Sequence, residues 1–193
     1  MEASIDRTRS ETRSLAQAGI IAAVYAAATL VCLLLLQGLA WGPVQFRISE
    51  ALCVIALFSA PAVPGLTLGC VIANLINVAI SGTGLLGMFD VVFGSLATLL
   101  GALWCRRFRR KSLLAIGGFV VSNALIVPAY LPIILQGLGF YTIPFTDIAL
   151  DGIYPLMYLF GLISIGIGEA VVIYGLGLPL LGALKRFGLS EEE

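Results

Sequence analysis

The stretch LAQAGIIAAVYAAATLVCLLLL, residues 15–36, carries no charge and is apolar at almost every position. A helix crosses the roughly 30 Å hydrocarbon core of a bilayer with about 20 such residues. This run is therefore read as the first transmembrane helix, extending to about Leu39. It is too long for the core of a signal peptide, so no cleavage is expected. The polar, Arg-bearing stretch before it, Glu2 to Ser14, stays outside the membrane.

The rest of the chain has the same character. Of 193 residues, 60% are hydrophobic and only 11% are charged, and the mean hydropathy is +1.05. That composition places the chain among polytopic membrane proteins. The formal net charge is zero, so no general attraction to nucleic acid is implied. There is no His, and the four cysteines (Cys32, Cys53, Cys70, Cys105) lie far apart in apolar runs with no CxxC pair. They read as small packing residues, and neither a metal site nor a cofactor is called for. No GxxxxGK[ST] phosphate loop occurs, so any ATP that drives transport is hydrolysed elsewhere.

Five further helices follow. The second runs from Arg47 to about Ala60, before the turn marked by Pro61 and Pro64. The third runs from about Gly65 to Ile80 and ends in the turn Ser81-Gly82-Thr83-Gly84. The fourth covers about Gly87 to Cys105, and the fifth about Leu113 to Gln136, with Pro128 and Pro132 as kink positions. The sixth runs from about Gly152 to Leu184, where Pro179 can bend or end it. The expected architecture is an all-α integral membrane protein of six transmembrane helices. A segment 1–14 precedes a membrane domain 15–186, and a tail 187–193 follows. With an even helix count, Arg7, Arg9 and Arg13, the cluster Arg106 to Lys111, and Lys185 with Arg186 fall on one side. The positive-inside rule makes that side, and both termini, cytoplasmic.

A charge at mid-bilayer costs about 2.5–3.5 kcal/mol on insertion scales and is usually kept for function. Arg47 and Glu50 open the second helix on the outer side, Asp90 opens the fourth, and Gln136 closes the fifth. Asn77 and Asn74 lie in the outer part and nearer the middle of the third, and Glu169 lies near the middle of the sixth. Polar groups thus converge in the outer half, while the inner half has little beyond Asn123. That pattern suits a solute-capturing pocket rather than a continuous pore. Each residue also has a plainer reading. Arg47 and Glu50 are i,i+3 neighbours that can pair with each other. Asp90 can cap a helix dipole. Asn74 and Asn77 can bind neighbouring helices together. Glu169, in GLISIGIGEA (residues 161–170), is hardest to explain structurally, since no cation neighbours it in sequence. Gly166 and Gly168 beside it allow either close helix packing or room for a flat ligand. Trp41, Tyr141 and Phe145 fit interfacial anchoring, or stacking on such a ligand. On the first helix, Ala18, Ala22 and Ala26 form one small-residue face, and Ala23 and Ala27 another. Such faces serve internal packing or docking by another membrane protein.

A small six-helix membrane protein without an ATPase motif, with alanine faces on its first helix, resembles a substrate-binding S component of an energy-coupling factor (ECF) transporter. VQFRISEAL (44–52), PGLTLGCVIAN (64–74) and DVVFGSLATLL (90–100) are similar to the queuosine-precursor transporter family, QueT. The first of these, with Arg47 and Glu50, is the most specific. The resemblance covers nearly the whole chain.

The resemblance implies an S-component fold in the prokaryotic plasma membrane, and a non-enzymatic role. A solute is captured outside and delivered when the subunit meets a transmembrane coupling protein and two cytoplasmic ATPases. It implies Ala18, Ala22, Ala23, Ala26 and Ala27 as candidates for contact with the coupling protein. The implied ligand is a 7-deazaguanine. Its two adjacent N–H donors suit a carboxylate, for which Glu169 is the candidate. Asp90 or Glu50 would meet an aminomethyl cation, and Asn74 or Asn77 would add hydrogen bonds. Arg47 would orient a carboxylate or face the ring carbonyl. Gln136 and Tyr141 complete the candidate set. The competing readings are an S component for another vitamin, an intramembrane enzyme using Glu169 and Asp90, and a channel or structural subunit.

Overall fold

A computed structural model describes residues 2–36, 45–137 and 154–189. All of its regular structure is helical. Helix α1 spans Glu2–Leu36, followed by a 3₁₀ helix at Ile48–Leu57 and α2 at Ala62–Ser81. Helix α3 covers Gly84–Arg107, α4 covers Ser112–Gly137, and α5 covers Tyr154–Arg186. Six helical elements thus stand in the expected order, and five of them are long and apolar enough to cross a membrane.

The polar stretch before Leu15 continues α1 rather than standing apart from it, and an exposed Arg7–Glu11 pair at i,i+4 supports it. The 3₁₀ helix is a departure from expectation. Ten residues rising about 2 Å each span only about 20 Å, short of a full crossing. Pro61 and Pro64 stand at the start of α2, where a missing N–H costs nothing. Gly82 ends α2 in the left-handed region with φ 66°, and its N–H bonds the Val78 carbonyl. Gly84 is also left-handed, with φ 58°.

Helix α4 passes through Pro128 and Pro132 without ending. Tyr154 and Tyr158 of α5 donate to the Ala129 and Leu125 carbonyls beside them, at 2.6 and 3.1 Å. Helix α5 absorbs Pro179 through a π turn at Ile173–Gly177 just before it. A second π turn, Asp90–Gly94, lies within α3.

Glycines fix how the helices run. A Cβ on Gly65 or Gly69 of α2 would stand 2.8 Å from the Ala18 or Ala22 carbonyl oxygen, so α1 and α2 lie side by side and parallel. Ala18, Ala22 and Ala26 are buried. That face of α1 serves internal packing, whereas Ala23 and Ala27 are exposed. Gly87 meets Val78, Gly101 meets Phe119, and Gly161 meets Pro128, so α2–α3, α3–α4 and α4–α5 are antiparallel. The 3₁₀ helix descends beside α5, with Val54 against Gly177, and Arg106 Nη1 reaches the Leu57 carbonyl. Consequently the N-terminus, the Arg106–Lys111 cluster and Arg186 gather at one end, hereafter the basic end.

The surface is lipid-like: Leu35, Leu85, Val92, Ile163, Ile167 and Val171 point outward. The interior is divided. Val54, Leu57, Leu66, Ile116, Phe119 and Ile173 fill the half toward the basic end with apolar packing. Toward the Gly82 turn a smaller apolar cluster, Val127, Leu131, Ile134 and Ile165, packs beside the buried polar residues Asn74, Asn77 and Asp90.

Candidate functional site

The stretch Gln45–Arg47 enters the bundle as extended chain and seats on α5. A Cβ on Gly168 would come within 2.2 Å of the Gln45 carbonyl oxygen. Gly168 therefore admits backbone, and the residue after it, Glu169, is held beside the segment that carries Arg47 and Glu50. The flanking Gly166 abuts Ala124 of α4.

Gln45, Arg47, Glu50, Asn74, Asn77, Asp90 and Glu169 are all at least nine-tenths buried. Arg47 lies close enough to Glu50 and Asp90 for electrostatic attraction, and Glu169 is attracted to the same guanidinium and repelled by the neighbouring Glu50 carboxylate. The cluster is thus one connected set of three carboxylates around a guanidinium. Arg47 and Glu50 do not form an isolated i,i+3 pair. Glu50 accepts from the Tyr25 hydroxyl through Oε1 and from the Cys53 thiol through Oε2, at 3.1 Å for the thiol. Thr29 bonds Ser49 at 2.7 Å. Helix α1 is in this way fastened to the 3₁₀ helix at the site.

Asp90 sits two turns inside α3, at its π turn, because that helix begins earlier than expected. Its carboxylate is no helix cap. Oδ1 accepts from the Tyr130 hydroxyl at 2.7 Å, and its carbonyl accepts from Asn74 Nδ2 at 2.8 Å. Phe89, Phe93 and Tyr130 stack around it with centroids 5.8 to 6.4 Å apart. Asn77 is buried one turn beyond Asn74. Gln136 is exposed in the last turn of α4 and lies outside the cluster. Tyr141, Trp41 and Phe145 lie outside the described residues.

Several members were missed in the sequence: Tyr25, Gln45, Cys53, Ser95, Asn123 and Tyr130. Ser95 faces the Cys70 thiol, as does Thr98. Asn123, assigned above to the inner half, falls level with Gly166–Glu169, since the next residue packs on Gly166. The available signals were Tyr25 and Thr29 at i,i+4 in an alanine run, and Gln45 two residues before Arg47.

Among the described residues, the polar atoms of this cluster buried without a hydrogen-bond partner include Gln45 Nε2, Asn74 Oδ1, Ser95 Oγ, Asn123 Nδ2 and Glu169 Oε2. Unpaired buried groups cost about 1–3 kcal/mol each. Two are donors, two are acceptors and the hydroxyl serves as either. They are equipped for a polar, uncharged edge that offers both kinds of partner.

A multi-pass helical protein of the cell membrane, with charged and unsatisfied groups gathered at one level of its interior, has the make-up of a membrane transport protein. The chain belongs to the QueT transporter family, whose family model matches residues 15–186. The queuosine precursor transporter QueT of Lactococcus lactis subsp. cremoris (strain MG1363) is 32% identical over 105 residues, which cover 52% of this chain and 56% of that protein. The match thus takes in a little over half the length of that relative. No solved structure matches.

Proposed function

We propose that this chain is the substrate-capturing S component of an ECF importer, binding a queuosine precursor or related 7-deazaguanine from outside. Family membership supports the class, and the relative's name supports the ligand. The carrying observation is the Glu169 carboxylate, buried to 2% exposure with Oε2 unpartnered. That oxygen and its mate suit the paired N–H donors of a guanine-like edge. Asp90 or Glu50 meets the aminomethyl cation of a precursor that carries one. Asn74 supplies a further acceptor through Oδ1. The basic end faces the cytoplasm by the positive-inside rule, so the site lies toward the outer face, with apolar packing below it.

Energy comes from a partner module of a transmembrane coupling protein and two ATPases. Its docking face on α1 is the exposed one, Ala23 and Ala27 with Ala16 and Gly19 in line, because Ala18 and Ala22 are already packed on α2 and Ala26 is buried.

The test is binding of the purified chain to a panel of 7-deazaguanines, with guanine and several vitamins as controls. Tight binding of one deazaguanine is expected. Removing one partner of a buried charged hydrogen bond costs about 2–5 kcal/mol, so Glu169→Gln weakens it at least about tenfold. Tight binding of a control vitamin alone would replace the ligand, and undiminished binding by Glu169→Gln would remove that residue from the site. Ala23→Leu with Ala27→Leu leaves ligand binding intact and abolishes uptake and co-purification with the coupling protein.

A further inference from the structure

The carboxylate accounts for only one edge of the ligand proposed above. A 7-deazaguanine also presents a ring carbonyl beside its N–H, and with Arg47 placed among the carboxylates Glu50, Asp90 and Glu169 that oxygen needs other donors. Among the described residues, two buried carboxamide nitrogens lack partners: Nε2 of Gln45 and Nδ2 of Asn123. Their residues are 2% and 3% exposed. Both belong to segments that pack, from different directions, on the stretch of α5 that carries Glu169. Gln45 rests on Gly168 through its backbone, next to the carboxylate. Asn123 precedes Ala124, which abuts Gly166 on the same stretch of α5. On α4, Asn123 shares a face with Val127 and Tyr130 at i+4 and i+7, and Tyr130 reaches Asp90. Asn123 therefore lies between the Asp90 side of the cluster and the Glu169 side.

A carbonyl oxygen has two lone pairs and accepts two N–H donors. We infer that Gln45 and Asn123 are specificity-determining residues whose amide N–H groups together hold the ring carbonyl of the ligand, while Glu169 holds the adjoining N–H edge. The inference rests on the purinone reading of the site. The site then selects a 6-oxo over a 6-thio or 6-amino heterocycle through its amides, and the 2-amino group through its carboxylate.

Two analogues separate these halves. In 6-thio-7-deazaguanine the N–H edge is intact but the acceptor is a weakly accepting sulfur. In 7-deazahypoxanthine the carbonyl is intact but the 2-amino group is gone. The wild-type chain is expected to bind 7-deazaguanine and to lose about tenfold in affinity for each analogue. In Asn123→Leu and Gln45→Leu the 6-thio penalty shrinks below about threefold while the 7-deazahypoxanthine penalty persists. In Glu169→Gln the pattern reverses. Asn123→Asp, of the same shape, points an acceptor at the carbonyl and weakens 7-deazaguanine further than Asn123→Leu. It keeps the question answerable if the leucine variant does not fold. An unchanged 6-thio penalty in folded amide variants overturns the assignment of Gln45 and Asn123 and leaves the ligand reading standing. Failure of the wild-type chain to bind any 7-deazaguanine overturns the ligand reading and this inference with it.

Discussion

Glu50 shows how much of a buried charge's environment comes from chemistry distant in sequence. The carboxylate is 1% exposed, and its oxygens take donors from Tyr25 on α1 and from Cys53 one turn away. Tyr25→Phe removes one donor and leaves an acceptor buried without it. A cost of about 1–3 kcal/mol follows, visible as a lowered unfolding temperature in detergent. An unchanged temperature would mean that the hydroxyl contributes nothing to stability. At this scale the sequence was partly legible. Charged side chains in apolar runs announce themselves, and Arg47, Glu50, Asp90 and Glu169 do converge. Tyr25, Gln45 and Asn123 do not announce themselves, because an isolated tyrosine or amide in a helix costs little to insert and has many ordinary uses. Only the helix register distinguishes a site member from packing.

Among the elements, the glycines divide into those that touch and those that do not. Gly168 carries the backbone of Gln45 at a distance no Cβ tolerates, while Gly182 has open space around it. Gly168→Ala forces the entering chain off α5. It costs about 1–3 kcal/mol by overpacking and also weakens ligand binding by shifting Gln45 relative to Glu169. Gly182→Ala is neutral or stabilising, by up to about 1 kcal/mol of helix propensity. Paired unfolding and binding measurements on the two variants check both; equal behaviour would refute the distinction. Helix positions and breaks were readable from apolar run length, proline and glycine. The 3₁₀ form of Ile48–Leu57 was not, since apolar length and proline placement set an element's ends but not its winding. The two π turns were hidden for the same reason. The turn at Asp90 has the larger consequence, since it lies where the carboxylate leaves α3.

At the scale of the molecule, three basic groups far apart in sequence meet at one end because consecutive helical elements reverse direction. The orientation in the membrane follows as an expected outcome. A cysteine placed at Lys111, in the basic loop, reacts with an impermeant maleimide in inverted vesicles and not in intact cells. A cysteine at exposed Ser81, near the opposite turn, behaves the other way. The native thiols are buried and contribute little background. The reverse pattern would turn the site toward the cytoplasm and exclude capture from outside. The same topology leaves α1 longer than its neighbour. With Ala18 beside Gly65, the dozen or so residues before Leu15 run about 20 Å past the start of α2, exposed on every side from Ile5 to Gln17. No proline interrupts α1 between Glu2 and Leu36. It is a jointless lever with a free handle at the basic end and its load, Tyr25 and Thr29, fixed to Glu50 and Ser49. A displacement of the handle would reach the buried hydrogen bonds that hold Glu50 and Ser49.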